Sequence, residues 1–291
     1  MQSIKREIVD THHHLWDRKY AEMSWLNSDY GLLYNSFNAN DYSDVATPVG
    51  VIRSVVVEAG NTEYDNQYLE KMADSSDVIG AFIANVELTS STIDEDLDEL
   101  QRNVKFRGVR MNMEGNPDRA ILSNQAILNG LSTLSSKGLI YEFLVRTYHL
   151  SDLLKVYEKT PDLKGVINHM AKPDMANGSD QIEWQSKMKD LADNTDIYCK
   201  ISLSPRQERI FELASESGAS WQLESIRPYV QWLLECFGPG RLMWGSDWPI
   251  ALITSGYEGI YDLMRQALGT VEKSVEDQLF KSNAFDFYRL E

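Results

Sequence analysis

The feature that most constrains the fold is an alternation of short apolar runs with segments of helical spacing. Eight runs rich in β-branched or aromatic residues occur along the chain, each short enough to form a single strand. Runs of this kind, without strict apolar–polar alternation, are typical of strands that are covered on both faces. They span residues 7–10, 52–58, 78–86, 106–111, 139–145, 165–169, 196–202 and 241–247.

The segments between these runs carry helix signals. Ile127, Leu131 and Leu134 form an apolar stripe before Gly138, a residue type that commonly follows the last turn of a helix. Eight strands separated by helices predict an α/β protein, and eight is the number that closes a (β/α)8 TIM barrel. The alternative is an open doubly wound sheet, but no glycine-rich phosphate loop follows any strand. We therefore expect a single TIM-barrel domain over residues 1–291.

Composition excludes several classes of function. The chain carries 28 Lys and Arg against 44 Asp and Glu, a net charge of −16, which argues against nucleic-acid and anionic-membrane partners. No apolar run approaches the roughly 18 residues that span a bilayer, and no secretory signal follows Lys5 and Arg6. Two cysteines, Cys199 and Cys236, are too few for a disulfide framework. These features favour a reduced, cytoplasmic protein that acts on a small molecule.

In a TIM barrel, function lies at the carboxyl ends of the strands. Three of the five histidines follow the first strand as His12, His13 and His14. Alternate residues of a strand face the same way, so His12 and His14 are predicted to face the barrel axis while His13 points outward. Two neighbouring imidazoles form half of a divalent-metal site. A polar strand end with satisfied histidines is the alternative, and the paired spacing favours the site.

His169 and Asp247 follow two later strands and would reach the same rim. A single histidine after an apolar strand is as often structural as catalytic, and an aspartate before Pro249 could simply cap a turn. Trp244 and Trp248 flank Asp247, and partial desolvation by them would raise the pKa of Asp247 and make it a proton acceptor. From the residues alone, a structural and a catalytic role stay open for both His169 and Asp247.

Basic and aromatic residues complete the predicted rim. Arg107 and Arg110 should face opposite sides of their strand, and Arg110, nearer the strand end, is the predicted substrate ligand because guanidinium suits carboxylates and hydroxyls. Lys200 is predicted to lie at the barrel mouth. Residues 15–38 form a long aromatic segment, which is either a binding wall or a loop with its own small core. Trp25 and Trp248 are predicted to stack on the substrate.

With these residues in view, the chain resembles the amidohydrolase superfamily, in the amidohydrolase 2 branch of sugar-lactone and related lactone hydrolases. The resemblance covers nearly the whole chain, in the family's order. It rests on residues 9–17 (VDTHHHLWD), 106–110 (FRGVR), 168–173 (NHMAKP), 198–202 (YCKIS), 243–249 (MWGSDWP) and the closing Asn283, Ala284 and Tyr288.

The resemblance implies a role for each matched residue. His12 and His14 match the metal-binding pair, and Asp247 matches the aspartate that accepts a proton and also binds metal where metal is present. His169 matches the histidine that polarises the substrate carbonyl, while Arg110 and Lys200 would hold substrate oxygens. The fifth strand offers no histidine, which argues against a binuclear centre, and Glu58 or Glu87 is left open as the source of a missing ligand. We expect at most one divalent ion, with zinc as the leading candidate, and leave open whether the ion is essential. Whether the protein forms a homodimer also stays open.

These observations predict a hydrolase that opens a small lactone, in first place a sugar-acid lactone, to its hydroxy acid. Asp247 would activate the attacking water. The alternatives are C–N hydrolysis or metal-dependent decarboxylation at the same site and, from another class, a barrel that binds a ligand without catalysis.

Overall fold

The computed structural model describes residues 6–19, 25–60, 62–116, 118–206, 209–210, 213 and 221–291. Their backbone forms one sheet of eight parallel strands whose order in space follows their order in sequence. The predicted (β/α)8 barrel is confirmed. The strands are β1 (Ile8–His13), β2 (Val51–Val57), β3 (Ile79–Ala84), β4 (Phe106–Asn112), β5 (Ile140–Leu144), β6 (Lys164–Ile167), β7 (Tyr198–Ile201) and β8 (Leu242–Trp244).

Helices connect the strands and cover the outside of the sheet. Ile127, Leu131 and Leu134 are buried on one of them, and Gly138 follows its end with a φ of 66°, as the sequence predicts. The α-helices are α1 (Ala39–Ala46), α2 (Glu63–Asp74), α3 (Ile93–Leu100), α4 (Gln125–Ser136), α5 (Leu150–Lys159), α6 (Gln181–Asn194), α7 (Leu223–Phe237), α8 (Gly256–Leu268), α9 (Lys273–Asp277) and α10 (Asn283–Tyr288), with a π-helical turn at Gln278–Ser282. No helix of the described segments combines the length and apolarity needed to cross a membrane.

The barrel closes where the end of β1 meets the segment that follows β8. The backbone N–H of Asp247 donates to His12 O at 2.8 Å, and that of His14 donates to Trp248 O at 2.6 Å. Gly245 makes this approach possible, because a Cβ there would lie 2.6 Å from the Cβ of His12. The closure therefore places Asp247 directly beside the histidine pair.

The strand ends differ from the sequence prediction by one to three residues, and three of the differences bear on the site. β1 continues to His13, because the polar residues from Asp10 onward are buried in the closure with β8. β6 ends at Ile167 and β8 at Trp244, because the backbone turns before His169 and Asp247 are reached. Both predicted catalytic residues thus lie on turns, where the backbone sets the direction of each side chain.

Candidate active site

The histidines of β1 alternate as predicted. His12 and His14 face the interior, with their Nε2 atoms 3.2 Å apart. His13 points outward, where it stacks on Tyr42 at a ring distance of 3.6 Å and shares a hydrogen bond of 3.0 Å with Ser54 Oγ. His14 Nδ1 lies 2.8 Å from Val57 O. Because a carbonyl only accepts, this bond puts the proton on Nδ1 and turns the Nε2 lone pair towards His12.

Asp247 completes the cluster from the turn after β8. Its Oδ1 lies 3.3 Å from His14 Nε2 and 3.7 Å from the Nε2 atoms of both His12 and His169. Its Oδ2 is buried and has no hydrogen-bond partner among the described residues. One carboxylate oxygen is therefore surrounded by imidazoles, while the other is available to a ligand or to water.

The electrostatics of Asp247 correct the sequence prediction. Burial opposes the charge on this carboxyl, but His169 and His14 outweigh burial and lower its pKa to about 2. Burial is the largest single influence on this pKa, but the lowering influences together exceed it, so the predicted rise was wrong. Asp247 is therefore ionised at neutral pH and able to accept a proton.

His169 lies on an unusual turn after β6. His169, Met170, Ala171 and Lys172 all have φ between 45° and 60°, a left-handed conformation that costs residues with a Cβ roughly 1–2 kcal/mol each. Tertiary hydrogen bonds hold the turn: Trp184 Nε1 donates to Met170 O at 2.7 Å, and Arg206 Nε donates to Lys172 O at 3.2 Å. The turn directs both His169 and Lys172 into the cavity at the barrel mouth.

His169 is positioned by Ser202, whose Oγ lies 2.8 Å from its Nδ1. Its ring centre lies 4.3 Å from that of His12. Burial lowers the pKa of His169 and the pKa of His12 well below the usual range of histidine, so both imidazoles are neutral at pH 7. A neutral His169 can donate or accept a hydrogen bond beside Asp247.

Arg110 faces the same interior, whereas Arg107 points away and donates to Tyr288 O at 2.6 Å. The Nε of Arg110 donates to Glu58 Oε1 at 2.6 Å, and its Nη2 donates to the Glu58 carbonyl oxygen. Its Nη1 lies 3.3 Å from His12 Nε2. The sequence left Glu58 open as an additional metal ligand. The structure instead pairs Glu58 with Arg110.

The cluster lies at the bottom of a cavity whose other lining side chains form an apolar set and a polar set. In the apolar set, Trp25 donates from Nε1 to Ala59 O at 2.9 Å. We call the apolar set the aromatic wall and the polar set the polar wall. The described lining residues are Trp16, Trp25, Ala59, Leu144, Ile210 and Ile250 in the aromatic wall, Arg110, Asn112, Glu114, Lys172 and Ser204 in the polar wall, and His14, His169 and Asp247 at the bottom. The aromatic segment thus contributes Trp16 and Trp25 to the lining of the cavity.

Comparison with known proteins assigns this arrangement to a family. The amidohydrolase family model matches residues 9–290. The chain belongs to the amidohydrolase family. Its relatives include an L-fucono-1,5-lactonase of Burkholderia ambifaria, 29% identical over 97% of this chain and 96% of the relative, and a 2-pyrone-4,6-dicarboxylate hydrolase of Comamonas testosteroni, 25% identical over 69% of this chain and 64% of the relative.

Solved structures agree on the fold of this amidohydrolase. A crystal structure of an amidohydrolase from Burkholderia multivorans, determined with bound zinc, has a TM-score of 0.87 and is 22% identical. The alignment covers 98% of this chain and 100% of that one. The predicted resemblance to the sugar-lactone branch of the amidohydrolases is confirmed.

The donor set of this amidohydrolase fits a single divalent ion. One ligand atom each from His12, His14 and Asp247 lies within 4.8 Å of the other two, and all three residues are buried. Imidazole nitrogens with a carboxylate oxygen suit zinc and similar ions. The fixed lone pair of His14 and the Oδ2 of Asp247, which has no partner within the described part of the chain, support the fit. In addition to such an ion, Arg110 supplies a positive group next to His12, since its Nη1 lies 3.3 Å from His12 Nε2.

Two predicted substrate ligands lie elsewhere. Lys200 is completely buried beneath His12 and donates to Glu142 Oε2 at 2.6 Å and to Thr11 O at 2.6 Å. It lies within β7 rather than beyond its end, so it cannot reach the mouth. Trp248 is buried 5.1 Å from the ring of Phe37 and does not line the cavity. Both placements correct the sequence prediction, whereas Trp25 does line the cavity.

Several site residues escaped the sequence analysis. Asp10 is buried and accepts hydrogen bonds from His12 N at 3.1 Å, Ser246 N at 2.9 Å and Tyr257 OH at 2.8 Å. It therefore ties the histidine strand to the turn that carries Asp247. Its signal was present, since an acid within a buried strand needs several donors. Glu114 carried no comparable signal because it lies in a loop, and Glu87, another open metal ligand, is exposed.

Proposed function

We propose that this amidohydrolase hydrolyses a small lactone to its hydroxy acid, with a sugar-acid lactone as the leading candidate. The observation that carries the proposal is Asp247, ionised and surrounded by His12, His14 and His169 at the bottom of the cavity. Its relatives named as lactone hydrolases support this reaction class. The aromatic wall offers a face against which a sugar ring can stack.

In the proposed mechanism Asp247 is the general base. Its Oδ2 has no donor among the described residues, so it can accept a proton from a water that attacks the ring carbonyl. The tetrahedral intermediate then collapses, the bond between the carbonyl carbon and the ring oxygen breaks, and Asp247 returns the proton to that oxygen. The product acid ionises and releases one proton to solvent.

Positive and hydrogen-bonding groups next to Asp247 would stabilise the charge that develops on the carbonyl oxygen. Among the protein groups, we assign this role to His169 and Arg110. A divalent ion held by His12, His14 and Asp247 would supply a Lewis acid at the same position. Glu58 fixes the guanidinium of Arg110, so its direction is set before substrate binds.

Asp247→Asn provides the test. An oriented general base contributes about 10²–10⁴-fold, and we expect kcat to fall by that factor while the protein stays folded. The measurement is proton release from a panel of aldonolactones and aromatic lactones, followed with a pH indicator, with and without chelator. A loss of only a few-fold would exclude Asp247 as the base.

The chelator arm assigns the role of the histidine pair. Activity that is abolished by chelator and restored by one ion would make His12 and His14 metal ligands. Activity that is insensitive to chelator would make them polarising groups together with Arg110. If the wild-type protein opens no lactone of the panel, the proposal is wrong, and assays for decarboxylation, C–N hydrolysis and binding without turnover would follow.

A further inference from the structure

The polar wall of the cavity contains a carboxylate held between two cations. Glu114 Oε2 accepts a hydrogen bond from Lys172 Nζ at 2.6 Å, and Glu114 Oε1 accepts from Arg146 Nη2 at 3.0 Å. Lys172 Nζ also donates to Pro205 O at 3.0 Å. Glu114 and Lys172 are both almost completely buried, yet both line the cavity. We call these two residues the rim pair.

The rim pair faces the substrate from a different direction than Asp247 does. Glu114 follows β4, and Lys172 ends the left-handed turn that begins at His169. Since His169 and Lys172 belong to one turn and line one cavity, a substrate at His169 also lies against the rim pair. Atoms of the lactone beyond the reacting carbonyl are the ones that the pair can contact.

Cations and carboxylates balance around this cavity. The lysine and arginine residues among the described lining residues are Arg110 and Lys172. Arg110 is paired with Glu58, and Lys172 is paired with Glu114. Arg146 also pairs with Glu114, and Asp247 at the bottom of the cavity is a third carboxylate beside these three cations. The residues outside the described ranges contain no lysine or arginine other than Lys5. The described side chains around the cavity thus carry no excess positive charge.

This balance favours uncharged substrate groups over anionic ones. A second carboxylate on the substrate would lose its hydration and then face Glu114, which already occupies both Lys172 and Arg146. A pair of neighbouring hydroxyl groups on the substrate would be bound favourably, because one hydroxyl can donate to Glu114 and the other can accept from Lys172. Burial of both side chains strengthens these hydrogen bonds relative to those of an exposed pair.

We propose that Glu114 and Lys172 determine substrate specificity: they bind hydroxyl groups of a polyhydroxylated lactone and exclude lactones that carry an additional carboxylate. This assignment rests on the proposed lactone hydrolysis and identifies the chemical class of the substrate. It also distinguishes between the two types of substrate that appear in the names of the relatives, a sugar lactone and a pyrone dicarboxylate.

The test uses matched pairs of substrates. Each pair consists of an aldono-1,4-lactone and the aldaro-1,4-lactone with the same stereocentres, in which the terminal CH2OH is oxidised to a carboxylate. We expect the wild-type protein to prefer the neutral member by at least 100-fold in kcat/KM. In Glu114→Gln the cations lose a carboxylate partner, so the preference should shrink at least tenfold, because KM for the charged lactone falls while KM for the neutral one rises.

Two further variants make the result specific. Lys172→Gln removes the donor but keeps Glu114, so KM for the neutral lactone should rise about tenfold with no gain for the charged one. A structural role alone would lower the activity on both members of a pair equally. Glu87→Gln is the control, because Glu87 is exposed, lies outside the cavity and undergoes the same change of charge. It should leave both rates unchanged.

The outcomes separate this assignment from the proposed function. The specificity assignment is overturned, and the hydrolase proposal is retained, if the wild type opens the charged member of a pair as well as the neutral member or better. The same holds if Glu114→Gln leaves the preference for the neutral member intact. If no lactone is opened, the hydrolase proposal fails. Titration of tryptophan fluorescence with the matched aldonates and aldarates then still tests the rim pair, and equal affinities for the two acids would overturn it.

Discussion

Two lysine–glutamate pairs with the same N–O distance of 2.6 Å lie on opposite sides of the reacting groups. Lys200 and Glu142, which we call the deep pair, are both 0% exposed beneath His12. The rim pair lines the cavity, where substrate and water can reach it. Identical chemistry therefore has two uses: the deep pair can only support the site, whereas the rim pair can contact what enters it.

The surroundings of the deep pair explain its supporting role. Glu142 also accepts from Asn168 Nδ2 at 2.9 Å and from Tyr288 OH at 2.7 Å. Lys200 Nζ lies 3.2 Å from His12 Nδ1. Burial lowers the pKa of Lys200 to about 8, although Glu142 opposes that change. Removal of either charge would leave the other one buried without a partner.

The largest effect that tests this comparison is expected at the deep pair. Lys200→Met or Glu142→Gln should each lower the free energy of unfolding by about 3–5 kcal/mol, because an uncompensated charge stays buried. The double variant, with neither charge, should lose less than the sum of the two. Urea unfolding of the four proteins gives this double-mutant cycle. Strictly additive losses would show that the two residues do not act as a pair.

A carboxylate without a cation sharpens the comparison. Asp65 is buried, accepts from Ala59 N at 2.9 Å and forms no ion pair within the described part of the chain. Burial, assisted by the charge of Glu58, raises its pKa to about 6. Because folding raises this pKa, the folded state binds the proton more tightly, and stability falls as the pH rises from about 4 to 6.

Asp65→Asn removes this penalty and keeps an acceptor for the Ala59 N–H. Above pH 7 the variant should be more stable than the wild type by up to about 3 kcal/mol, and the difference should shrink steadily as the pH approaches 4. Chemical denaturation at pH 4, 5, 6 and 8 measures it. A difference that does not depend on pH would mean that Asp65 titrates normally in the folded protein.

The smallest effect on stability is expected at the rim. Glu114→Gln should cost about 2 kcal/mol, less than Glu142→Gln, because water in the cavity can solvate part of the buried cations that lose their partner. Its main consequence is the change in substrate preference. Glu87→Gln, the exposed control, should stay within about 0.5 kcal/mol of the wild type. A loss at Glu114 as large as at Glu142 would remove the distinction between the two pairs.

The sequence predicted the barrel and the centre of the site because both depend on local patterns. Apolar runs identified all eight strands, and the alternation of a strand separated His12 and His14 from His13. The depth of a side chain within the barrel does not follow from local patterns, because it depends on where the strand that carries the side chain ends. Lys200 was therefore expected at the mouth but lies one layer below it, while Trp248 was expected in the cavity but packs behind it.

Residues brought together by turns were the hardest to predict. The rim pair joins positions 58 residues apart, and no periodicity in the sequence connects them. The pKa of Asp247 was predicted in the wrong direction for a similar reason. Its flanking tryptophans are visible in the sequence, whereas the imidazoles that lower its pKa arrive from β1 and from the turn after β6.

That left-handed turn also has a consequence for the order of folding. Four consecutive residues with a Cβ disfavour this conformation, so the isolated segment does not form it, and its hydrogen-bond donors Trp184 and Arg206 lie later in the chain. Substitutions that weaken these bonds should accelerate unfolding and leave the folding rate nearly unchanged, the behaviour of contacts made after the transition state. We therefore expect His169 to reach its position only after the helices and loops around it have docked. A partly assembled barrel would hold its histidine pair and still be inert.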